Sequence, residues 1–167
     1  VYTHSTIKGY FNDKAQRLRV EGYFPRLRYG NKFIESGMFL CENPGDQFHT
    51  RLRFSNRKSN GAVNIALEAQ ARNNNIQTTL NWGNSSTVTY SGKLAAVAHF
   101  IREQNEANES KRKLPPLKTV IDVQPTNVIL NDTLWDIHPS QVVLDSGKVY
   151  VNDFYFSHKD RHLRING

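Results

Sequence analysis

Residues 119–167 read TVIDVQPTNVILNDTLWDIHPSQVVLDSGKVYVNDFYFSHKDRHLRING. Pairs of apolar residues spaced two apart recur along this stretch, and short runs of turn-forming residues separate them. Apolar side chains at every second position lie on one face of a β-strand, so the stretch predicts a meander of half-buried antiparallel strands. The apolar pairs are Val128/Leu130, Val142/Leu144, Val149/Val151, Phe154/Phe156 and Leu163/Ile165. The predicted turns lie at Asn131-Asp132, His138-Pro139, Asp145-Ser146-Gly147, Asn152-Asp153 and Lys159-Asp160.

The same alternation continues upstream over longer segments. Phe48, Leu52 and Phe54 alternate with polar and cationic residues, which predicts a strand with one apolar face. Residues 62–72 alternate in the same way and would span about 36 Å at about 3.3 Å per residue. We predict that the asparagines at 73–75 turn the chain into a returning strand, because Asn tolerates the left-handed backbone of tight turns. Strands of this length are typical of large curved sheets.

Residues 87–103 fit two templates. Their apolar residues recur at every second position, but they also fit the i, i+3, i+4, i+7 spacing of a helix. We predict a strand, with one short helix near residues 93–112 as the alternative. Residues 104–116 are polar, contain a run of three cations and end near two prolines. This composition predicts a solvated polar loop.

Composition agrees with a sheet that has one wet face. The chain has 167 residues, of which 38% are hydrophobic, and its mean hydropathy is −0.62, which is low for a thick globular core. Strand-like sequence continues to both ends, so we expect residues 1–167 to form a single β-rich segment of a larger, repetitive protein. The pattern predicts an all-β fold and leaves two forms open: a curved antiparallel gutter, or a closed β-sandwich.

Charge and cysteine content narrow the function classes. The lone Cys41 excludes an intrachain disulfide and a cysteine-based zinc site. The sequence contains no run of about 18 apolar residues, so it predicts no transmembrane segment. The net charge of +7 permits anionic partners such as nucleic acid, phospholipid headgroups or lipopolysaccharide. We expect no nucleic-acid binding, because Arg51, Arg53 and Arg72 are out of phase with the aromatic residues that would stack on bases.

Catalytic and metal-binding motifs are missing from the sequence. There is no glycine-rich phosphate loop, nucleophile elbow or HExxH helix. His158 and His162 are four apart, but the strand pattern places them around a polar turn, so we expect no metal site. Four aspartates that could pair for glycoside chemistry occur in turn-like sequence, where Asp commonly caps the backbone. We therefore expect a protein that is not an enzyme and needs no cofactor. These aspartates are Asp132, Asp136, Asp153 and Asp160.

Several passages resemble a recurrent pattern of long bacterial envelope proteins, the TamB (translocation and assembly module) family and its AsmA-like relatives. They are residues 122–139 (DVQPTNVILNDTLWDIHP), 149–158 (VYVNDFYFSH) and 163–167 (LRING). Residues 80–84 (LNWGN) and 90–94 (YSGKL) also fit. The resemblance covers residues 76–167 and, more loosely, the whole chain.

The resemblance implies a repetitive sheet folded along its length into a gutter, or β-taco, with an apolar lining. Such proteins are anchored in the inner membrane by a helix that would lie outside this chain, and the gutter crosses the periplasm. The family is implicated in carrying phospholipid toward the outer membrane and in assembling outer-membrane proteins. The implied partners are therefore phospholipid acyl chains and an outer-membrane assembly protein. The family offers no catalytic residues to carry over.

A lipid conduit requires a continuous apolar face without unpaired charges, because each such charge costs several kcal/mol. The apolar sides of the predicted strands meet this requirement, although they would equally form an ordinary dry core. The alternative function is a β-sandwich that binds glycans through exposed Tyr23, Tyr29 or Tyr155. The residues predicted to line the groove are Phe48, Leu52, Phe54, Val63, Ile65, Leu67, Ala69, Ile76, Leu80, Trp82, Val128, Leu130, Val149, Val151, Phe154 and Phe156.

Overall fold

The computed structural model describes residues 4–29, 32–58, 61–102 and 117–167, and these residues form strands and short connections. Within these ranges the chain has no helix with the length and hydropathy needed to cross a membrane. The strands are β1 (Thr6–Asn12), β2 (Arg17–Tyr29), β3 (Lys32–Glu42), β4 (Phe48–Lys58), β5 (Gly61–Arg72), β6 (Asn75–Asn84), β7 (Tyr90–Arg102), β8 (Leu117–Val123), β9 (Thr126–Leu130), β10 (Thr133–Ile137), β11 (Ser140–Asp145), β12 (Lys148–Asn152), β13 (Phe154–His158) and β14 (Arg161–Ile165).

All fourteen strands belong to one open, curved antiparallel sheet, which confirms the predicted fold class. From β1 to β7 the sheet is a simple meander in which each strand pairs with the next. The topology then changes, because β7 has two neighbours on the same side. Its first residues pair with β9, and its last seven pair with β8.

Beyond β7 the strands are broken in the middle, and the breaks lie side by side. Val123 pairs with Ser140 and Thr126 pairs with Ile137, so β8 and β9 run end to end beside β11 and β10. The pairs of β12 with β11 and of β13 with β10 repeat this arrangement one strand further. We call the aligned breaks the crease. It consists of Gln124-Pro125, His138-Pro139 and Asp153.

The crease corrects part of the predicted meander. Hairpin turns form at Asn131-Asp132, Ser146-Gly147 and Lys159-Asp160, as predicted. His138-Pro139 and Asn152-Asp153 are not hairpin turns, because the chain continues in the same direction to a different neighbour. Proline has no amide hydrogen for a ladder bond, and Asp153 has a φ of 52°, so both sites interrupt pairing locally. A turn residue and a strand break look alike in sequence.

The long hairpin around the asparagines is confirmed. β5 has 12 residues and β6 has 10, and Asn73 and Asn74 adopt φ values of 48° and 60° in the turn between them. Two left-handed residues in succession are the signature of a type I′ turn, whose twist matches that of the strands. Residues 93–102 belong to strand β7, as predicted, and not to the alternative helix. The rest of the 93–112 segment and the predicted loop at 104–116 lie outside the described residues.

Pro25 lies inside β2, although proline has no amide hydrogen for a ladder bond. The β1 ladder ends at the pair of Thr6 with Tyr23, so β2 has no β1 partner at Pro25. On the other side, Ser36 has a φ of 55°, and the β3–β4 register shifts between Glu35 and Met38. The missing proline amide is therefore tolerated at a bulged, locally one-sided position.

The sheet has almost no core. Val128, at 3% exposure, is the one hydrophobic residue that is buried among the described residues. The chain exposes 12783 Å². A compact monomer of this mass would expose about 8,400 Å². No described layer closes the sheet into a sandwich, so of the two predicted forms the structure shows the open one.

Candidate functional site: a continuous apolar face

Each strand contributes apolar residues to one shared face of the sheet. Residues paired across antiparallel strands project to the same side, so the register assigns each strand's alternating set to a face. Leu52 pairs with Leu67, Leu67 pairs with Leu80, and Leu80 pairs with Leu94. We call this side the apolar face and the other side the polar face. One row of the apolar face crosses β1 to β7 without an ionisable group: Ile7, Gly22, Phe39, Leu52, Leu67, Leu80 and Leu94.

All the residues predicted to line a groove lie on this face. Those of β4 to β6 form a block in which Phe54, Ile65 and Trp82 are successive partners. Those of β9 and β13 join it through β7 and β10, and those of β12 join it through β11, β8 and β7. The sequence reasoning missed the contributions of β1 to β3, such as Phe39, because glycines and the Pro25 irregularity interrupt the alternation there. It also missed Leu94 and Ile121, although their strand periodicity was visible in the sequence.

Aromatic rings cover glycines of neighbouring strands on the apolar face. A side chain added at Gly22 would meet the ring of its partner Phe39 at 2.1 Å. A side chain added at Gly92 would meet the ring of its partner Trp82 at 2.4 Å and a methyl group of Val128 at 2.7 Å. Such rings lie along the sheet over bare backbone. The backbone at the two glycines is therefore covered by apolar rings that lie flat on the face.

The apolar face is open to solvent. Phe48 and Ile65 are 41% and 40% exposed, and Val149 at the far edge is 61% exposed. Single exposed apolar residues are ordinary on a protein surface, but a contiguous face of this extent marks a binding surface.

Charged residues lie on the apolar face at the two ends of the strands. At one end Trp135 stacks on Phe156, with ring centroids 4.7 Å apart and planes 7° from parallel, and His158 lies next to Trp135 at 5.5 Å. His158 Nδ1 donates to the Leu134 carbonyl at 2.6 Å, which leaves Nε2 free. Arg161 is paired opposite His158 in the ladder and makes no ion pair with a described residue. We call Trp135, Phe156, His158 and Arg161 the rim cluster. Arg102 occupies the same face at the opposite strand end.

The polar face carries the ion pairs. Arg19 bonds Glu21 at 2.9 Å and Glu42 at 2.6 Å. The hydrogen bond to Glu21 is the main cause that raises the pKa of the Arg19 guanidinium. Arg51 and Arg53 share Glu68 at 3.8 and 3.7 Å. Arg51, Arg53 and Arg72 thus lie opposite the apolar face, as the sequence phase indicated.

The histidines and aspartates considered for metal binding or catalysis are separated in the structure or are engaged by other residues. His158 lies on the apolar face and His162 on the polar face, so the two cannot bind one metal ion. No cluster of metal ligands occurs among the described residues. Three of the aspartates have local partners, and Asp160 lies in the β13–β14 turn. Asp132 accepts from the Thr89 amide, Asp136 accepts from Asn127, and Asp153 pairs with Arg164.

The tyrosines proposed for glycan binding do not form one platform. Tyr155 is half-buried and packs edge-on against His138, with ring centroids 4.7 Å apart. Tyr23 belongs to β2, at the opposite side of the sheet from β13. The side chain of Tyr29 lies outside the described set.

Comparison with known proteins identifies no relative of this chain. No protein-family model, curated protein or solved structure matches this chain.

Proposed function

We propose that this chain is a non-catalytic segment of a TamB/AsmA-like cell-envelope protein, and that its apolar face carries phospholipid acyl chains through the periplasm. The observation that supports the proposal is the uncharged row of apolar residues that crosses β1 to β7 and is open to solvent. An acyl chain needs a long apolar surface and no directional partner. Each CH₂ group removed from water contributes about 0.8 kcal/mol.

The rim cluster supports an orientation for the lipid. Trp is favoured where one side of a ring is apolar and the other is wet. Arg161, the ladder partner of His158, supplies positive charge at this end of the apolar face, and His158 lies next to Trp135. A phosphate headgroup at this end, with the acyl chains along the face, would satisfy both halves of a phospholipid.

The lone cysteine provides a direct test. Cys41 lies on the apolar face, between its ladder partners Val20 and Thr50. A benzophenone attached to Cys41 should, after illumination with dispersed phospholipid, give a lipid adduct detectable by mass spectrometry. The matched control is Gln70→Cys in a Cys41→Ser background, which places the same label on the polar face. Adducts of equal yield from both faces, or none from Cys41, would contradict the proposal.

Substitution inside the face tests the physical cause. Leu67→Asp places a carboxylate in the uncharged row, between Leu52 and Leu80. We expect the lipid adduct at Cys41 to fall about tenfold or more, because the charge must be desolvated against an acyl chain. The side chain of residue 67 is half-exposed in the free protein, so the strand content measured by circular dichroism should stay unchanged. An undiminished adduct in a folded Leu67→Asp protein would show that the row does not hold the lipid.

A further inference from the structure

The polar face contains a cleft that lipid carriage on the other face does not explain. The cleft lies over β1 to β4 and has a volume of about 540 Å³. Tyr23, Met38 and Leu40 are the apolar lining residues that project from the polar face, where polar residues would be expected. Met38 is 52% exposed and Tyr23 is 42% exposed, so both are accessible to a ligand.

Four cations line the cleft, and one of them, Arg19, is paired with Glu21 and Glu42. Arg53 is the ladder partner of Met38, and Arg51 is the ladder partner of Leu40. Lys8 lies on the other side, on β1, and also lines the cleft. The cleft therefore has an apolar floor with positive charge on two sides.

The positive charge of the cleft is incompletely neutralised. Glu21 and Glu42 are both engaged by Arg19. Glu68 is the one carboxylate near Arg51 and Arg53, and it stands at 3.7–3.8 Å, beyond direct hydrogen-bond distance. Lys8 makes no ion pair with a described residue. Arg51 and Arg53 thus share one loosely held carboxylate, and Lys8 stands opposite Glu21, which Arg19 already engages.

We propose that this cleft binds a small anionic amphiphile: a phosphate or carboxylate group joined to an alkyl or aromatic group. The anionic group would accept hydrogen bonds from Arg51 and Arg53, which suit planar, two-pronged recognition of such oxygens. The apolar group would pack on Met38, whose flexible thioether adapts to irregular ligands. The volume lies in the usual range of small-molecule sites, about 300–1,000 Å³. Binding to a flat anionic membrane is disfavoured, because Glu21, Glu42 and Glu68 lie beside the cleft on the same face.

Met38 makes the proposal testable, since it is the single methionine of the chain. Protein labelled with ¹³C-methyl methionine gives one methyl resonance, and that resonance comes from the cleft. Octyl phosphate, added below its micelle concentration, should move the resonance saturably, whereas octyl glucoside should move it much less. Equal responses to the two probes would identify an apolar patch only, and no response to octyl phosphate would overturn the proposal.

Variants separate the cleft from the apolar face. In Arg51→Gln/Arg53→Gln the octyl phosphate affinity should fall about tenfold or more, because charge-assisted hydrogen bonds are lost. Lys8→Gln on the edge strand gives a second, milder variant if the double substitution fails to fold. Leu67→Asp lies on the opposite face and should leave the Met38 response unchanged. An unchanged affinity in the folded arginine variant, or loss of the response in Leu67→Asp, would contradict the cleft as the binding site. The outcome is independent of whether the apolar face carries lipid.

Discussion

Gly92 shows how single residues shape the apolar face. It is the ladder partner of Trp82 on one side and of Val128 on the other, and both side chains lie over its backbone. The arrangement accounts for the burial of Val128 in a sheet where few side chains are buried. A glycine in a strand usually weakens it, but here the missing side chain makes room for an indole ring.

Gly92→Ala should therefore destabilise the protein. The new methyl group would meet Trp82 at 2.4 Å and Val128 at 2.7 Å, and overpacking of this kind typically costs about 1–3 kcal/mol. Gly83→Ala is the matched control, because the nearest atom there is the Ser91 Cβ at 3.8 Å. Urea unfolding followed by Trp fluorescence measures both. Equal stability of the two variants would mean that Trp82 does not cover Gly92 in solution.

At the scale of elements, the β13–β14 hairpin carries the charged end of the apolar face. His158 and Arg161 flank its turn, and Trp135 of β10 joins them. Arg102, at the end of β7, supplies a cation at the other end of the strands. The two arginines thus form a natural pair for testing which end holds a headgroup.

Arg161→Gln should reduce the preference for anionic over zwitterionic phospholipid. The measurement is the ratio of phosphatidylglycerol to phosphatidylcholine adducts formed by the Cys41 photolabel. We expect the ratio to fall severalfold, because Arg161 attracts the net negative headgroup of phosphatidylglycerol more than the zwitterionic headgroup of phosphatidylcholine, while the acyl contacts are the same for both lipids. Arg102→Gln should leave the ratio near its original value. If Arg102→Gln lowers the ratio and Arg161→Gln does not, the lipid lies in the reverse orientation.

At the scale of the whole molecule, the sheet is held by ladder hydrogen bonds and cross-strand side-chain pairs rather than by a core. The exposed surface of 12783 Å² means that folding removes less surface from water than it does in a compact protein of equal mass. Since an unfolded chain of this mass exposes about 28,000 Å², the surface buried on folding is lower by roughly a fifth.

The denaturant dependence of unfolding should reflect this open form. The urea m-value scales with the surface exposed on unfolding, so we expect it to be about a fifth below that of a compact 167-residue protein. Saturating the apolar face with phospholipid should raise the midpoint, because a ligand of the folded state stabilises it. An m-value as large as that of a compact protein would indicate that the apolar face is covered in solution.

Local pattern was enough to predict the strands and their faces. The alternation from Val63 to Ala71 depends on nothing beyond the chain's own pleat, which sends successive side chains to opposite sides. The tight turn at Asn73-Asn74 is equally local, because it rests on the backbone tolerance of asparagine. For the same reason, every residue predicted to line a groove lies on one face.

Only the tertiary structure decided which strands are neighbours and whether the face is covered. His138-Pro139 reads as a turn, yet it is a break in a strand, because β10 and β11 pair with different long-range partners. The cleft around Met38 arises from residues of four strands brought together by register. Whether a second layer covers an apolar face depends on the path of the whole chain, and alternation is the same for a covered and an open sheet. The sequence therefore determined which side chains share a face, and the tertiary structure determined that the face is open.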